Sequence, residues 1–237
     1  MLLLISSLLL MSCGADKYMK KGEKFLALGE YYDAAYQFKQ AYTRTPVKER
    51  DTRGKRALKM AQCYQRINAT PKAIAAYRNA IRYNQASKED QLAYARQLLK
   101  NGDYRQAEKV FLMLKDSMPG NQLIANGLKS AQMAPEWKKQ GSRYIVKRMD
   151  VFNSRRHDYS PVLFGDDYDQ LYFTSTRNEA LGDELSGITG TKAGDIFLSE
   201  KDDRGKWSKP EAIGTGLNTD YDEGACCFTP DGREMYL

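Results

Sequence analysis

A repeat of 34 residues in the first half of the chain constrains its fold more than any other feature. A small residue followed four residues later by an aromatic one occurs three times: Ala34 with Phe38, Ala73 with Tyr77, and Ala107 with Phe111. Ala73 and Ala107 stand one period apart, whereas the first connector, near Glu49–Arg53, carries about five extra residues. Apolar residues recur between these pairs at helical spacing. The pattern therefore predicts stacked helix pairs that bury their apolar faces only against one another.

The remaining positions of the frame resemble the tetratricopeptide repeat (TPR). The matching positions are Tyr18, Gly22, Phe25, Gly29, Tyr31, Ala41 and Pro46, then Ala57, Met60, Ala61, Tyr64 and Ala80, then Tyr94, Ala95, Leu98, Gly102 and Pro119. The resemblance implies an all-α TPR solenoid over 13–134. Its repeats would be 15–48, 54–87 and 88–121, followed by a capping helix at 122–133.

A TPR array is a protein-binding module, and the resemblance implies that the first helix of each repeat lines its concave face. The residues predicted to point there are Lys55, Gln62, Gln65, Arg66, Arg96 and Lys100. These side chains would form a basic groove suited to an extended acidic peptide or a helix of a partner. The alternative is a solvated surface, with the partner on the convex side or at the ends.

Charge changes sign along the chain. Residues 13–134 carry 23 basic and 11 acidic residues, whereas residues 135–237 carry 14 basic and 19 acidic ones. This change indicates a domain boundary near residue 135. The basic half could attract acidic proteins, anionic lipids or nucleic acid, but no nucleic-acid motif accompanies it. We therefore predict no nucleic-acid partner.

The N-terminus reads as a targeting segment. The apolar run at 2–11 is too short to span a bilayer and fits the core of a signal peptide. The following Ser12-Cys13-Gly14 resembles a bacterial lipobox, although Met11 is large for its position and no basic residue precedes the run. The resemblance implies removal of residues 1–12 and lipidation of Cys13. Because no acidic cluster directly follows Cys13, we expect an outer-membrane protein that faces the periplasm. An ordinary secretory signal or a buried helix are the alternatives.

After residue 135 the composition turns to short alternating runs separated by Gly- and Asp-rich turns. The runs at 143–151, 170–175, 195–199 and 224–228 predict strands, and 177–194 reads as an inserted Gly-rich loop. Two similar segments, Phe164–Phe173 and Phe228–Leu237, lie 64 residues apart. Together these features predict an antiparallel β region over 135–237.

This region resembles the PD40 (WD40-like) propeller repeat. The matching pieces are Ser160-Pro161, Tyr172-Phe-Thr-Ser175-Thr-Arg177, Gly194-Asp195 and Thr229-Pro-Asp-Gly232. The resemblance implies the start of a β-propeller that is incomplete at Leu237. Because a propeller needs several blades to close, we expect a longer polypeptide.

A lipobox, TPR repeats and PD40 repeats in this order resemble a group of Bacteroidetes outer-membrane lipoproteins of the OmpA family, including PorE-like components of type IX secretion. The resemblance implies a non-enzymatic scaffold that links outer membrane and cell wall. Peptidoglycan would be bound by a C-terminal domain that is not among these residues. The alternatives are a SusD-type nutrient-binding lipoprotein and the N-terminal part of a propeller-capped peptidase.

No catalytic, metal-binding or cofactor-binding motif stands out. His157 is the single histidine, and no Gly-x-Ser-x-Gly segment occurs. The aspartates of the β region lack EF-hand spacing and suit turns. Cys63 is expected in a helix core, and the adjacent Cys226 and Cys227 should point to opposite faces of a strand. We therefore predict a protein that is not an enzyme and holds neither metal nor cofactor.

Overall fold

The computed structural model describes residues 2–214 and 216–237, with side chains from Gly14 onward. The chain divides into two units. The first contains the residues up to Arg143 together with Gly187–Thr189. The second contains Tyr144–Ser186 and Gly190–Leu237.

Within the described residues, the first unit consists of seven helices that resemble a TPR solenoid. They are α1 Leu2–Ala27, α2 Tyr31–Arg44, α3 Arg50–Arg66, α4 Thr70–Arg82, α5 Lys88–Lys100, α6 Tyr104–Lys115 and α7 Gln122–Gln140. Between the two helices of each repeat, one residue adopts a left-handed conformation: Gly29, Asn68 and Gly102, with φ of 78°, 56° and 83°. These three residues occupy the same position of the predicted frame. The predicted helical repeat is therefore confirmed.

The core of this unit explains the period. The predicted alanines and aromatic residues are essentially inaccessible: Ala34, Phe38, Ala61, Ala73, Tyr77, Ala95, Ala107 and Phe111 are all at most 1% exposed. Small side chains let the helices approach, and the rings fill the space between them. At Gly22 even a methyl group would not fit, because an added Cβ would lie 2.6 Å from Cε1 of Phe38.

The extra residues near Glu49–Arg53 add a first turn to α3 and do not form a longer loop, because α3 begins at Arg50. This turn brings Arg53 over the ring of Tyr42, at 4.3 Å from its centroid. Arg56 is buried and donates to the carbonyl of Ala41 at 3.3 Å. The two guanidinium groups thus contact the C-terminal end of α2, where helix carbonyls lack partners within the helix.

The last helix differs from the prediction at 122–133. Helix α7 begins at Gln122 as expected but runs to Gln140 and contains Pro135. The two units separate between Arg143 and Tyr144. A proline removes one backbone hydrogen bond from a helix, and its position near the end of α7 limits that cost.

Among its described residues, the second unit contains two small antiparallel sheets. One sheet pairs β1 Asp158–Phe164, β2 Gln170–Ser175, β3 Asp195–Glu200 and β4 Glu211–Ala212 in chain order, and the other pairs β5 Cys227–Phe228 with β6 Met235–Tyr236. The strands predicted at 170–175 and 195–199 are confirmed. The segment predicted at 224–228 is a strand only over its last two residues. The 143–151 prediction is wrong: this segment contains no strand, and Ile145 and Val146 are 86% and 92% exposed.

Aromatic and polar contacts hold this unit together. Phe173 on β2 and Phe197 on β3 are buried, and their rings stack with centroids 6.2 Å apart. Asn218 is 1% exposed, and its amide group bonds both backbone groups of Ile196. The two similar segments also meet, because the rings of Phe164 and Phe228 stack with centroids 4.2 Å apart.

Candidate protein-binding groove

The first helices of the repeats, α1, α3 and α5, are joined side by side by polar contacts. Lys59 on α3 lies 3.3 Å from the carboxylate of Glu23 on α1. Gln62 on α3 donates to Asp90 on α5 at 3.1 Å. Consecutive first helices are therefore neighbours. The surface that they share, referred to below as the groove, is where the six predicted residues were expected.

Four of the six predicted residues are exposed cations. Lys55 and Arg96 are exposed, and neither has a polar partner among the described residues. Arg66 lies 5.7 Å from the ring centroid of Tyr31. Lys100 donates to the side chain of Asn68 at 2.6 Å. The positive charge of the groove is thus available to a ligand from both α3 and α5.

The two predicted glutamines are engaged within the array. Gln65 is half-buried and accepts a hydrogen bond from the hydroxyl of Tyr77 at 2.6 Å. Gln62 is exposed but donates to Asp90, whose carboxylate also accepts from the backbone of Ser87. Burial raises the pKa of Tyr77, so this phenol remains a hydrogen-bond donor at neutral pH. These glutamines fix the geometry of the groove and are less available to a ligand than the cations.

Helical spacing adds apolar residues that the sequence analysis missed. Leu58 lies three residues after Lys55, and Leu99 lies three residues after Arg96, so each pair shares a helix face. Both leucines are half-buried and pack against the core. Their spacing of three residues from predicted cations would have located these leucines in the sequence. The groove therefore combines an apolar floor with exposed positive charge.

The acidic side chains of α1 do not cancel this charge. Asp16 forms an ion pair with Arg56, and Glu23 forms one with Lys59. Both carboxylates are thereby matched by cations of α3 that are not among the six predicted residues. Carboxylates of a ligand could accept charge-assisted hydrogen bonds from the four exposed cations, and such bonds are stronger than neutral ones.

Two of the three described cysteines are buried, and the histidine is exposed. Cys63 is buried in α3, and burial raises its thiol pKa to about 11, so the reactive thiolate is scarce at neutral pH. Cys226 is buried, Cys227 is exposed, and both are free thiols. His157 is exposed in the second unit. Among the described residues, no group of three or more His, Cys, Asp or Glu side chains is arranged to hold a metal ion.

Cys13 is the predicted lipidation site. Cys13 falls within the backbone span of α1, but its side chain lies outside the described residues. In the part of the chain that the structure describes, no helix has both the length and the apolar character needed to cross a membrane.

Comparisons with known proteins gave matches among solved structures. No protein-family model and no curated protein sequence matches the chain. The first TPR of Spaghetti (RPAP3) bound to the HSP90 peptide SRMEEVD is 17% identical, with a TM-score of 0.43 and coverage of 53% of this chain and 96% of that one. A C-terminal TPR-containing domain of a Plasmodium falciparum FK506-binding protein is 15% identical, with a TM-score of 0.45 and coverage of 55% and 94%.

The Sgt2 TPR domain from Aspergillus fumigatus is 17% identical, with a TM-score of 0.41 and coverage of 57% of this chain and 88% of that one. These structures are similar to the helical fold, and each covers little more than half of this chain. The function of the groove therefore rests on the residues of the chain itself.

Proposed function

We propose that this protein is a non-enzymatic adaptor whose groove binds an acidic segment of a partner protein. The observation that carries this proposal is the pair of exposed cations Lys55 and Arg96, which lack polar partners among the described residues and lie beside half-buried leucines. Cations that only solubilise a surface do not need an apolar floor. A partner that supplies carboxylates and an apolar side chain would satisfy both features.

Charge complementarity also predicts how such a complex should behave. Exposed cations steer an acidic partner over distances comparable with the Debye length, about 10 Å at 0.1 M salt. Binding through Arg66 and Arg96 should therefore weaken as salt is raised. A partner held only by apolar contacts would show little salt dependence.

The test is co-purification of partners from membranes with the variant Arg66→Glu/Arg96→Glu. We expect at least a tenfold loss of captured partner, since two attractions become repulsions. The matched control is Arg78→Glu/Arg105→Glu, which changes net charge equally at exposed positions of the second helices α4 and α6. Equal capture by both variants would place the interface outside the groove.

The finer proposal is an adaptor of a cell-envelope assembly of the type IX secretion kind, anchored in the outer membrane and facing the periplasm. It is supported by the order of features: the apolar run with Cys13, the helical repeats, and an antiparallel sheet whose four strands follow chain order, as in a propeller blade. The second hairpin, β5–β6, would begin the next blade. A peptidoglycan-binding domain further along a longer polypeptide would complete the link to the cell wall.

Membrane fractionation tests the anchor. The variant Cys13→Ala should move from the membrane fraction to the soluble periplasmic fraction, because the acyl chains can no longer be attached. Continued membrane association at unchanged strength would count against anchoring through Cys13.

A further inference from the structure

Helix α1 carries four lysines on one face, and the groove does not use them. Lys17, Lys20, Lys21 and Lys24 are separated by three, one and three residues. On an α-helix this spacing confines them to an arc of about 100°. All four side chains are exposed. We refer to these four residues as the lysine face.

The lysine face points away from the array. The opposite side of α1 carries Ala15, at 1% exposure, and the buried Gly22. Met19 and Leu26 pack against the core from the same helix. The lysines are therefore on the outer surface of the first repeat.

No carboxylate neutralises this face. The two acidic residues of the described part of α1 are engaged elsewhere, Asp16 with Arg56 and Glu23 with Lys59. Among the described residues, the one interaction of the four lysines is that of Lys21, 5.6 Å from the ring centroid of Phe25. Four positive charges thus stand together, and no carboxylate among the residues that the structure describes forms an ion pair with them.

In later repeats, positions equivalent to two of these lysines are buried. In α3, the positions equivalent to Lys17 and Lys24 are Arg56 and Cys63, and both are buried. In α5, the position equivalent to Lys24 is the buried Gln97. A terminal helix must be polar there to remain soluble, but a solubilising surface mixes charges of both signs. Because the lysine face carries positive charge alone, it is suited to bind a negatively charged surface.

The position of the lysine face identifies that surface. The backbone of α1 is one helix from Leu2 to Ala27, so Cys13, the residue proposed to carry the acyl chains, precedes the lysines on the same helix without a break. At 1.5 Å per residue, Lys17 lies about 6 Å and Lys24 about 17 Å beyond Cys13 along the axis. Basic clusters beside a membrane anchor bind anionic headgroups.

We infer that the lysine face binds the surface of an anionic phospholipid bilayer and holds α1 against it. This inference deepens the proposed function, because it rests on the membrane location of the protein. Each lysine near such a surface should strengthen the partition by about fivefold at low salt. Long lysine side chains can also keep their charge among headgroups while their stems contact apolar groups.

The experiment uses the full chain with Cys13→Ser, so that its outcome does not depend on acylation. Flotation compares vesicles of phosphatidylcholine with vesicles that contain about one third phosphatidylglycerol. We expect at least a tenfold stronger partition onto the anionic vesicles, reduced by high salt. Equal partition onto both kinds of vesicle would overturn the inference, because the apolar run alone would then explain binding.

The variant Lys17→Gln/Lys20→Gln/Lys21→Gln/Lys24→Gln should lose this preference for anionic vesicles. Glutamine has a helix propensity close to that of lysine, so α1 should be retained. The matched control, Lys48→Gln/Lys109→Gln/Lys115→Gln/Lys129→Gln, removes the same charge at exposed positions. Equal losses in both sets would overturn the inference in favour of net charge.

The groove variant Arg66→Glu/Arg96→Glu should float with anionic vesicles as strongly as the protein without these substitutions. A failure of partner capture and a failure of lipid binding can therefore be told apart.

Discussion

The guanidinium of Arg177 donates to the carboxylate of Asp158 at 2.8 Å, and both side chains are more than nine-tenths buried. Asp158 also accepts from the hydroxyl of Ser175 at 2.6 Å. Arg177 lies 4.7 Å from the ring centroid of Phe197. This pair joins the first residue of β1 to the segment that follows β2, at the edge of the apolar core. Loss of this pair should therefore destabilise the whole sheet.

Replacing Arg177 by methionine should destabilise the second unit by about 3–5 kcal/mol, because it leaves the carboxylate of Asp158 buried without its partner. Urea unfolding followed by the fluorescence of Trp207 measures the change, in a Trp137→Phe background that removes the other tryptophan. Trp207 reports on this unit because it packs against its core. The control is Arg233→Met, whose ion pair with Asp231 is exposed and should matter little. Similar effects of both substitutions would contradict the role of the buried pair.

Acid should weaken the second unit through the same carboxyl group. Burial acts to raise the pKa of Asp158, but hydrogen bonds from Ser175, Arg177 and Ser154 outweigh it and hold the pKa below its ordinary value. The resulting stabilisation is fully present above the unfolded pKa of about 4 and is lost as pH falls through the folded pKa. The urea midpoint should therefore fall more steeply between pH 5 and pH 3 than in Asp158→Asn. If the urea midpoint depended on pH equally in both proteins, Asp158 would not be the source of the acid sensitivity.

The variant Gly22→Ala should destabilise the helical unit although alanine favours helices. The added methyl group meets the buried ring of Phe38, and an overpacking cost of up to about 3 kcal/mol outweighs the helix-propensity gain of about 1 kcal/mol. Thermal unfolding followed by far-UV circular dichroism measures the loss. Gly14→Ala is the control, since no atom lies within 4 Å of its added Cβ. If the clash is the cause, Gly22→Ala should cost less stability in a Phe38→Leu background than it does in the protein with Phe38.

Thiol labelling of the Cys13→Ser protein should show one fast cysteine at neutral pH. Cys227 is exposed, whereas burial raises the pKa of both Cys63 and Cys226. A chromogenic disulfide reagent should therefore label one thiol at once and the other two after unfolding. Cys227→Ser should remove the fast phase. Persistence of that phase would show that Cys63 or Cys226 is accessible in the folded protein.

The helical unit could be predicted from sequence because its rule is local and repeats. Ala73 with Tyr77 and Ala107 with Phe111 recur at one period, and each residue contacts the same kind of neighbour in every copy. The four exposed cations of the groove followed from that frame. The hydrogen bond from Tyr77 to Gln65 could not be predicted in this way. Its donor lies on the second helix of the repeat, and the pattern on the first helix does not reveal it.

Other features depended on contacts that sequence patterns do not encode. The segment at 143–151 alternates like a strand but has no neighbouring strand to pair with. Strand β1 was not among the predicted strands. It contains Pro161, which lies at a bulge where Ser160 has a φ of 52°. The extra turn of α3 was read as a connector, since its arginines acquire their role through contact with the end of α2.

The stack of Phe164 on Phe228 joins corresponding residues of two segments that lie 64 residues apart. Each segment therefore supplies one of the two rings in this contact. A copied segment that keeps this spacing would present the same ring to its neighbour, so the aromatic contact would form again without a second mutation. An insertion that changes the spacing within one segment would break the contact.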